Sequence, residues 1–235
     1  MVVPAYNEEQ RLTLSLPKIS DYLRARFARY EIIVVDDGST DATGTVVNMF
    51  AKDDPHISLA QLPVNSGKGA AVRAGMLAAA GDYVLFSDAD LSTPIEELEN
   101  VLRHLRAGAD VVIGSRDLPE SQIQRHQNPL REMMGKLFNL IVRLLSGLPY
   151  HDTQCGFKCY RRAAAQAIFH RTKINGFAFD VETLVLARLL DCRTVEMPVR
   201  WVNCPQSKVR ILRHPAEMVL ELLKIRINDA RGRYR

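Results

Sequence analysis

Two aspartates directly after a short apolar run are the residues of this sequence best suited to chemistry. Residues 84–94 read VLFSDADLSTP, so Asp88 and Asp90 follow the run with one residue between them. Alternate side chains of an extended segment point to the same side, which lets both carboxylates converge on one point. Two carboxylates suit Mg²⁺ or Mn²⁺, and Mg²⁺ favours one or two carboxylates plus substrate phosphates. The spacing therefore indicates a metal–diphosphate site, although an isolated Asp-x-Asp is also typical of a solvated turn.

Two further polar loops adjoin predicted elements. The segment Asp36–Asp41 follows a strand of Ile and Val, and a carboxylate there can accept hydrogen bonds from a base or a ribose. The same loop is equally compatible with simple capping of the next helix. The segment Asn65–Gly69 precedes a helix, where its amides and Lys68 could meet an anion. It lacks the spacing of a P-loop, and a helix start with a solvated lysine fits as well.

Strand and helix patterns alternate in the first half of the chain. Strands are predicted at Met1–Pro4, Glu31–Val35, Ile57–Leu62, Tyr83–Ser87 and Asp110–Gly114. Helices are predicted at Glu9–Ala28, from Thr40 or Asp41 to about Ala51, at Gly67–Ala80 and at Pro94–Ala107. The alternation predicts an α/β fold, a mostly parallel twisted sheet flanked by helices. Ligands of such folds bind at the carboxyl ends of the strands, where the aspartate-rich loops and Ala5–Glu8 are expected.

The second half is less regular and shows no linker, so one domain over residues 1–235 is predicted. Asp117–Leu130 is interpreted as a mobile loop, and Tyr150–Tyr160 as a polar turn and a strand. Helices are predicted at Arg131–Ser146, Phe179–Leu190 and Pro215–Ile227, with a strand at Thr194–Val202. The helix at Arg131–Ser146 is amphipathic, with one basic side.

Composition and charge restrict the class of protein. The chain has 235 residues, of which 47% are hydrophobic and 25% charged, the profile of an ordinary globular domain. Nine Lys/Arg and three Asp/Glu lie between Arg200 and Arg235, so the positive charge of the chain, +4 overall, is concentrated in this tail. The first residues fit a strand better than a secretory signal, and no run reaches the ~18 apolar residues of a membrane span. The cysteines fit neither a zinc site nor a disulfide framework, and reduced thiols in a cytosolic protein are expected: Cys155, Cys159, Cys192 and Cys204.

Taken together, these segments resemble glycosyltransferase family 2, the inverting nucleotide-sugar enzymes of GT-A fold. The matching segments occur in order as Val3–Glu8, Val35–Asp41, Asn65–Gly69, Asp88–Asp90 and Gly114–Arg116. Asp152–Lys158 and Phe179–Glu182 continue the match and resemble the polyprenyl-phosphate branch, in particular the enzymes that glucosylate dolichyl phosphate. The resemblance implies a nucleotide-sugar half at about residues 1–116 and an acceptor and membrane-facing half at about 117–235.

The resemblance also implies a role for each matching residue. The nucleotide-sugar site would comprise Pro4, Tyr6, Glu8, Asp36, Asp37, Lys68, Asp88 and Ala89. Mg²⁺ or Mn²⁺ would be held by Asp88 and Asp90. Catalytic roles fall to Asp88, Asp90, Arg116, Asp152 and Gln154, and contacts to the acceptor phosphate to Arg116, Arg131 and Lys208. Related mannosyltransferases carry a glutamine shortly after Asp-x-Asp as an extra metal ligand, whereas this chain has Ser92 there.

The implied reaction moves a sugar, expected to be glucose from UDP-glucose, onto a polyprenyl phosphate. A phosphate monoester has a second pKa of ~6 and is anionic near neutral pH, so it can attack the anomeric carbon without a strong base. Asp152 could therefore act as a base or only orient a sugar hydroxyl or an arginine. UDP-GlcNAc, GDP-mannose or a saccharide acceptor are alternatives in the same class, and a saccharide acceptor would need a catalytic base.

The expected partners are a nucleotide sugar, a lipid phosphate and the cytoplasmic face of a membrane, bound peripherally. Arg131–Ser146 and the basic tail could lie at an anionic interface, where each Lys or Arg gains ~1 kcal/mol. The alternative for Arg131–Ser146 is a helix that faces the core. A nucleic-acid-binding module is disfavoured because the tail has only Tyr234 beyond Trp201, and intact Asp88 and Asp90 argue against a silent nucleotide-binding scaffold. Homo-oligomerisation is left open.

Overall fold

A computed structural model describes residues 1–125, 139–202 and 213–235, which are built around one seven-stranded sheet. Its strands are β1 (Val2–Ala5), β2 (Ile32–Asp36), β3 (Ile57–Gln61), β4 (Tyr83–Ser87), β5 (Val111–Ser115), β7 (Phe157–Arg161) and β8 (Thr194–Pro198). They are ordered β3-β2-β1-β4-β7-β5-β8, and only β7 runs antiparallel to its neighbours. Two shorter strands, β6 (Gln122–Arg125) and β9 (Arg200–Val202), pair with each other in a second, parallel sheet.

Helices cover both faces of the main sheet. They are α1 (Glu9–Arg26), α2 (Thr43–Asp53), α3 (Lys68–Ala78), α4 (Leu98–Arg106), α5 (139–146), α6 (Arg162–Phe169), α7 (Phe179–Leu189) and α8 (Arg213–Ala230), with a 3₁₀ turn at Ile95–Glu97 before α4. Alternate strand residues face opposite sides: Val3 and Leu85 pack with α1, α2 and α4, whereas Val2 and Phe86 pack with α3, α6 and α7. Burial on both faces is why β2 is an unbroken apolar run up to Asp36. In the part of the chain that the structure describes, no helix is both long enough and apolar enough to cross a bilayer.

The mostly parallel α/β fold predicted from the alternation is confirmed, with corrections in detail. The mobile loop predicted at Asp117–Leu130 is wrong for residues 122–125, which form β6, and positions 126–130 lie outside the described residues. The single strand predicted at Thr194–Val202 is two strands in different sheets. Pro198 ends β8 because proline has no N–H for the ladder, and the chain then crosses to pair with Gln122.

Two helix predictions also need correction, and one remains partly outside the described residues. Helix α6 was not predicted, since its eight residues are fewer than the window over which helical periodicity is recognised. Ala42, rather than Thr40 or Asp41, is the N-cap of α2, although the Asp41 carboxylate accepts a hydrogen bond from the Thr43 amide at 2.9 Å. Of the amphipathic helix predicted at Arg131–Ser146, residues 139–146 are helical and 131–138 are not described.

A buried carboxylate ties the α1 and α2 layer to β3. Asp54 follows α2 and is only 4% exposed. Its oxygens accept hydrogen bonds from Ser20 Oγ (2.5 Å), Tyr30 Oη (2.9 Å) and His56 N (3.0 Å). Burial alone would raise the pKa of Asp54, but these hydrogen bonds outweigh it and hold the pKa below its usual value. The ionised carboxylate therefore stabilises the fold.

We expect Asp54→Asn to lower the free energy of unfolding by about 2 kcal/mol at neutral pH, because the charge-assisted hydrogen bonds are lost. A carboxyl with a depressed folded-state pKa stabilises the protein above its unfolded pKa of ~3.9, and this stabilisation is lost as the pH falls below that value. Urea unfolding at pH 7 and pH 3.5 should therefore show a smaller difference between variant and wild type at the lower pH. The exposed neighbour Asp53 provides the control substitution, Asp53→Asn, which should leave stability nearly unchanged. An equal effect of both substitutions would contradict the role assigned to Asp54.

Candidate active site

The candidate site lies where the strand order of the sheet reverses. From β1 the chain proceeds outwards to β2 and β3 on one side, while β4 lies on the other side of β1. Such a switch point leaves a crevice at the carboxyl ends of the strands, where ligands of open α/β sheets bind. The segments 6–8, 37–41 and 88–90 follow β1, β2 and β4 at that edge. The three loops predicted to act together are thus brought together.

Asp88 and Asp90 are half-buried directly after β4. Asp88 Oδ1 lies 2.7 Å from Lys68 Nζ, and the Asp88 amide donates to Gly156 O at 3.1 Å. Asp90 Oδ1 accepts a hydrogen bond from the Ser92 amide at 2.9 Å. A Cβ at Gly156 would lie 2.0 Å from Asp88 Oδ2, so the absence of a side chain there gives Asp88 its place.

The donor chemistry of this pair fits a hard divalent cation. Both side chains offer carboxylate oxygens, and the side chain of Asp88 is 35% exposed. Within residues 1–125, 139–202 and 213–235, no group of three or more His, Cys, Asp or Glu side chains could hold a metal ion. A site with two carboxylates matches the preference of Mg²⁺ for few protein ligands plus substrate phosphates. Ser92, two residues after Asp90, donates its amide N–H to Asp90, and its carbonyl oxygen accepts a hydrogen bond from the Val202 amide at 2.8 Å.

Three amides of the loop before α3 are bonded within the protein. Ser66 N and Gly67 N donate to the two oxygens of Asp37 at 2.7 and 2.9 Å, and Gly69 N donates to Asn175 O at 2.7 Å. These three amides are therefore occupied, and the contact of an anion with Lys68 stays a prediction. The alternative of a solvated lysine is wrong, since the side chain of Lys68 is 24% exposed and paired with Asp88.

Lys68 keeps its charge in this environment. Burial acts to lower the pKa of Lys68, but the carboxylates of Asp88, Asp180 and Asp90 outweigh burial and raise it. Its ammonium group also lies 5.3 Å from the centroid of the Phe86 ring. The site therefore presents a fixed positive charge beside the two aspartates.

Asp36 and Asp37, the expected base or ribose contacts, are both 3% exposed and bound to the protein. Asp36 accepts from Ser39 N at 2.9 Å and from Gln61 Nε2 at 3.1 Å. Burial raises the pKa of Asp37, while the amides of the loop before α3 act against that rise. The structure thus shows what each carboxylate does for the loops, and their contact with a nucleotide stays a prediction.

The loop after β1 contains one residue that the sequence motifs did not single out. Asn7 has a φ of +54°, and its Oδ1 accepts a hydrogen bond from Thr40 N at 2.8 Å, which joins the loops after β1 and β2. Asparagine tolerates this left-handed conformation better than most residues, and that preference was the available signal. Nearby, Tyr6 is 39% exposed, Pro4 is buried in β1, and Glu8 pairs with Arg11 at 3.0 Å.

On the other side of β4, Arg116 and Asp152 form a bidentate pair. Arg116 Nε and NH2 donate to Asp152 Oδ2 and Oδ1 at 2.6 and 3.0 Å, and the Arg116 amide donates at 3.1 Å. Asp152 is fully buried, whereas 29% of the Arg116 side chain is exposed above the Trp201 ring. Burial would raise the pKa of Asp152, but Arg116 outweighs it and lowers the pKa. Asp152 is therefore placed to orient Arg116, with its oxygens occupied by the guanidinium and by the Gln154 amide at 3.0 Å.

Other predicted contacts differ in how far the structure describes them. Gln154 is half-buried, and its Nε2 lies 3.9 Å from Met218 Sδ of α8. Ala89 is 5% exposed between the two aspartates. Arg131 and Lys208, the other proposed acceptor contacts, lie outside the described residues.

Comparisons with known proteins agree with this architecture. The sequence model described as glycosyl transferase family 2 matches residues 1–169. A dolichyl-phosphate beta-glucosyltransferase of Trichomonas vaginalis is 36% identical, over 96% of this chain and 70% of that protein. A protein of the same name from Homo sapiens is 33% identical, over 100% of this chain and 76% of that protein.

A solved structure has the same fold at low identity. Glucosyl-3-phosphoglycerate synthase from Mycobacterium tuberculosis, crystallised with Mn²⁺, UDP-glucose and glycerol 3-phosphate, superimposes with a TM-score of 0.70. The identity is 19%, over 98% of this chain and 79% of that chain, so the likeness concerns the fold. The family predicted from the sequence motifs is confirmed by the match over residues 1–169 and by relatives that are 33–36% identical over at least 96% of this chain. This chain belongs to glycosyltransferase family 2.

Proposed function

We propose that this glycosyltransferase moves glucose from UDP-glucose onto the phosphate of a dolichyl-type polyprenyl lipid, with inversion at the anomeric carbon. The observation that carries the proposal is the grouping of two half-buried carboxylates and the charged Lys68 at the switch point of the sheet. The names of the relatives support glucose and dolichyl phosphate, and the neighbour crystallised with UDP-glucose and Mn²⁺ supports the donor and a divalent ion.

Each side of the site has a task in this reaction. Asp88 and Asp90 would hold Mg²⁺ or Mn²⁺, which when bound supplies positive charge for the diphosphate leaving group. Lys68 donates charge-assisted hydrogen bonds to the same diphosphate. Arg116, oriented by Asp152, receives the phosphate of the acceptor. A phosphate oxygen of the acceptor forms the new bond to the anomeric carbon as the bond from that carbon to the UDP oxygen breaks. No proton needs to be removed, because the acceptor is anionic near neutral pH.

A donor panel tests the reaction. UDP-glucose, UDP-GlcNAc and GDP-mannose are each incubated with the protein, a polyprenyl phosphate and Mn²⁺ or Mg²⁺, and the lipid-linked product is quantified. The expected result is product with UDP-glucose and none when the acceptor is the dephosphorylated polyprenol. Preferred use of GDP-mannose would contradict the donor, and transfer only to a free saccharide would contradict the acceptor.

The proposal includes the cytoplasmic face of a membrane as the surface where the acceptor is met. Helix α8 exposes Leu220 (60%), Leu223 (44%) and Ile227 (47%), which its 100° step places within about 60° of one another. Exposed Lys224 and Arg231 lie on the same side of the helix. An apolar stripe with basic flanks is the pattern of a helix that lies in the lipid interface.

A second helix and the site support the same orientation. Helix α5 exposes Leu140 (51%) and Leu144 (75%) one turn apart. Arg188 of α7 contacts both helices, through Ser146 O at 3.1 Å and Asp229 Oδ2 at 3.9 Å. Helix α8 also approaches the site loop where Met218 meets Gln154. Helix α8 would therefore contact the membrane through its exposed stripe and the acceptor side of the site through Met218.

Replacing Leu220, Leu223 and Ile227 with glutamine should lower co-sedimentation with phosphatidylserine vesicles at least about tenfold, since three apolar side chains are removed from the interface. Leu14→Gln, at a leucine of α1 that is 69% exposed, is the matched control and should co-sediment like wild type. Transfer to a short, water-soluble polyprenyl phosphate should be unchanged in both variants. Undiminished sedimentation of the triple variant would exclude the α8 stripe as the membrane contact.

A further inference from the structure

A second ion pair is fully buried beside the Lys68–Asp88 pair. Lys158 lies on β7 in the middle of the sheet and is 0% exposed, and Asp180 in the first turn of α7 is 4% exposed. The ammonium group of Lys158 donates to Asp180 Oδ1, and to Cys155 O at 2.7 Å. Neither residue has a role in the reaction described so far.

The stability of the fold does not account for this pair. Taking two charges out of water is costly, and apolar residues of similar volume in place of a buried pair are often neutral or stabilising. The β7 residues Phe157, Cys159 and Tyr160 are buried in the apolar clusters of the core, so an apolar side chain at position 158 would fit the pattern of the strand. A buried pair at this position calls for a reason other than packing.

The pair is electrostatically connected to Lys68. The ammonium groups of Lys68 and Lys158 lie 5.3 and 5.9 Å from the centroid of the same Phe86 ring. Lys68 is also 6.0 Å from the ring of Phe179, the residue before Asp180. A Cβ at Gly69 would lie 2.7 Å from Phe179 Cβ, so the start of α3, with Lys68, packs directly against the start of α7, where Asp180 lies. Charges of alternating sign therefore run from the half-exposed Asp88 through Lys68 and Asp180 to the buried Lys158.

This arrangement matters because Asp88 is proposed to interact with two positive groups, Lys68 and a divalent cation. One of its oxygens is bonded to Lys68, and the same carboxylate is the proposed ligand of a divalent cation. If Asp88 held a cation, its carboxylate would hold Lys68 less strongly, and the two positive charges would repel each other. Asp180 is 4% exposed, whereas the side chain of Asp88 is 35% exposed, so Asp180 is the more deeply buried carboxylate of the two and could attract the ammonium group while Asp88 turns to the cation.

We propose that Asp180 is a positioning residue that keeps Lys68 directed at the donor diphosphate, and that Lys158 fixes Asp180 for this task. The inference rests on the proposed function, because it assigns Lys68 to the diphosphate. Binding of the donor would then depend on Asp180 and Lys158, two residues that do not contact the donor.

Asp180→Asn keeps the shape of the side chain and removes its charge. We expect it to weaken binding of UDP in the presence of Mn²⁺ about tenfold, and to raise the KM for the nucleotide sugar by a similar factor, with the KM for the lipid phosphate changed less than about twofold. In a Lys68→Met background the same substitution should have no further effect, because Asp180 acts through Lys68. Asp54→Asn, at a buried carboxylate in the α1 and α2 layer, is the control for lost stability and should leave UDP binding unchanged.

A double apolar replacement separates positioning from structure. Lys158→Met alone leaves Asp180 without its partner and should lower the melting temperature, whereas Lys158→Met with Asp180→Leu should restore it toward wild type. UDP binding with Mn²⁺, measured by calorimetry, should stay about tenfold weaker in the double variant. Recovery of both stability and UDP affinity would show that the pair is only structural and would overturn the inference, as would a full additive loss in the Lys68→Met background. The calorimetric test needs no acceptor, so a wild type that binds UDP but transfers no glucose would refute the proposed function separately.

Discussion

Asp90→Ala is expected to reduce glucose transfer roughly a thousandfold while the fold is retained. Asp90 is one of the two carboxylates proposed to hold the cation, and several kcal/mol of leaving-group stabilisation depend on the cation, at about 1.4 kcal/mol per tenfold in rate. Its side chain is half-buried and accepts a hydrogen bond from the nearby Ser92 amide at 2.9 Å. Substitutions at such positions change the free energy of unfolding by about 1 kcal/mol or less.

Three measurements separate the loss of the cation from loss of the fold. Transfer from UDP-glucose, thermal unfolding and Mn²⁺ binding by the loss of the free-ion paramagnetic resonance signal are compared in one preparation. Asp82→Ala, at an exposed aspartate just before β4, is the matched control and should retain transfer and Mn²⁺ binding. Transfer at the wild-type rate by the Asp90→Ala protein would refute the role of this carboxylate in holding the cation.

Most of the fold could be predicted because both faces of the sheet are buried. Complete burial makes strands such as Ile32–Asp36 uninterrupted apolar runs, which stand out from the amphipathic helices between them. The position of β7 could not be predicted in this way. Its residues specify a buried strand, but its insertion between β4 and β5 in the antiparallel direction depends on pairings 45 to 78 positions away, such as Ile113 with Lys158 and Ser87 with Phe157.

For the candidate site too, local features could be predicted from the sequence, whereas contacts between distant residues could not. Residue type and local spacing pointed to Asp88, Asp90 and Lys68, because the chemistry of these side chains is visible in the sequence, whereas Arg116 was indicated by the family resemblance of Gly114–Arg116. The uses of Asp37 and of Asn175 O were not visible, since they satisfy amides 29 to 106 residues away. The Ser66, Gly67 and Gly69 amides are occupied for that reason: an amide at a helix start can bind an anion only if the tertiary structure leaves it without a partner.

The second large effect is expected for Asp152→Asn, which removes the charge that orients Arg116. We expect transfer to fall about a hundredfold or more, with a higher KM for the lipid phosphate and nearly unchanged binding of UDP. Breaking a buried ion pair also lowers stability by about 3–5 kcal/mol, and the lower value is expected here because Arg116 reaches solvent. Transfer and thermal unfolding are therefore measured at a temperature where the variant is folded. Glu196→Gln, which perturbs the loop through the Asp152 amide at 2.8 Å but keeps the ion pair, is the control and should retain most transfer.

A double substitution then separates orientation from base catalysis by Asp152, because the pH dependence of transfer is expected to be the same for both roles. The acceptor phosphate loses its second proton at a pKa of ~6, so transfer should fall in acid whichever role Asp152 has. Arg116 holds the pKa of Asp152 below its usual value, and this carboxylate therefore adds no ionisation near pH 6. If Asp152 only orients Arg116, the Asn variant should show a lower rate with the same acid limb, and adding Asp152→Asn to Arg116→Ala should cost nothing further. An additive loss in that double variant would instead give Asp152 a separate part in the chemistry.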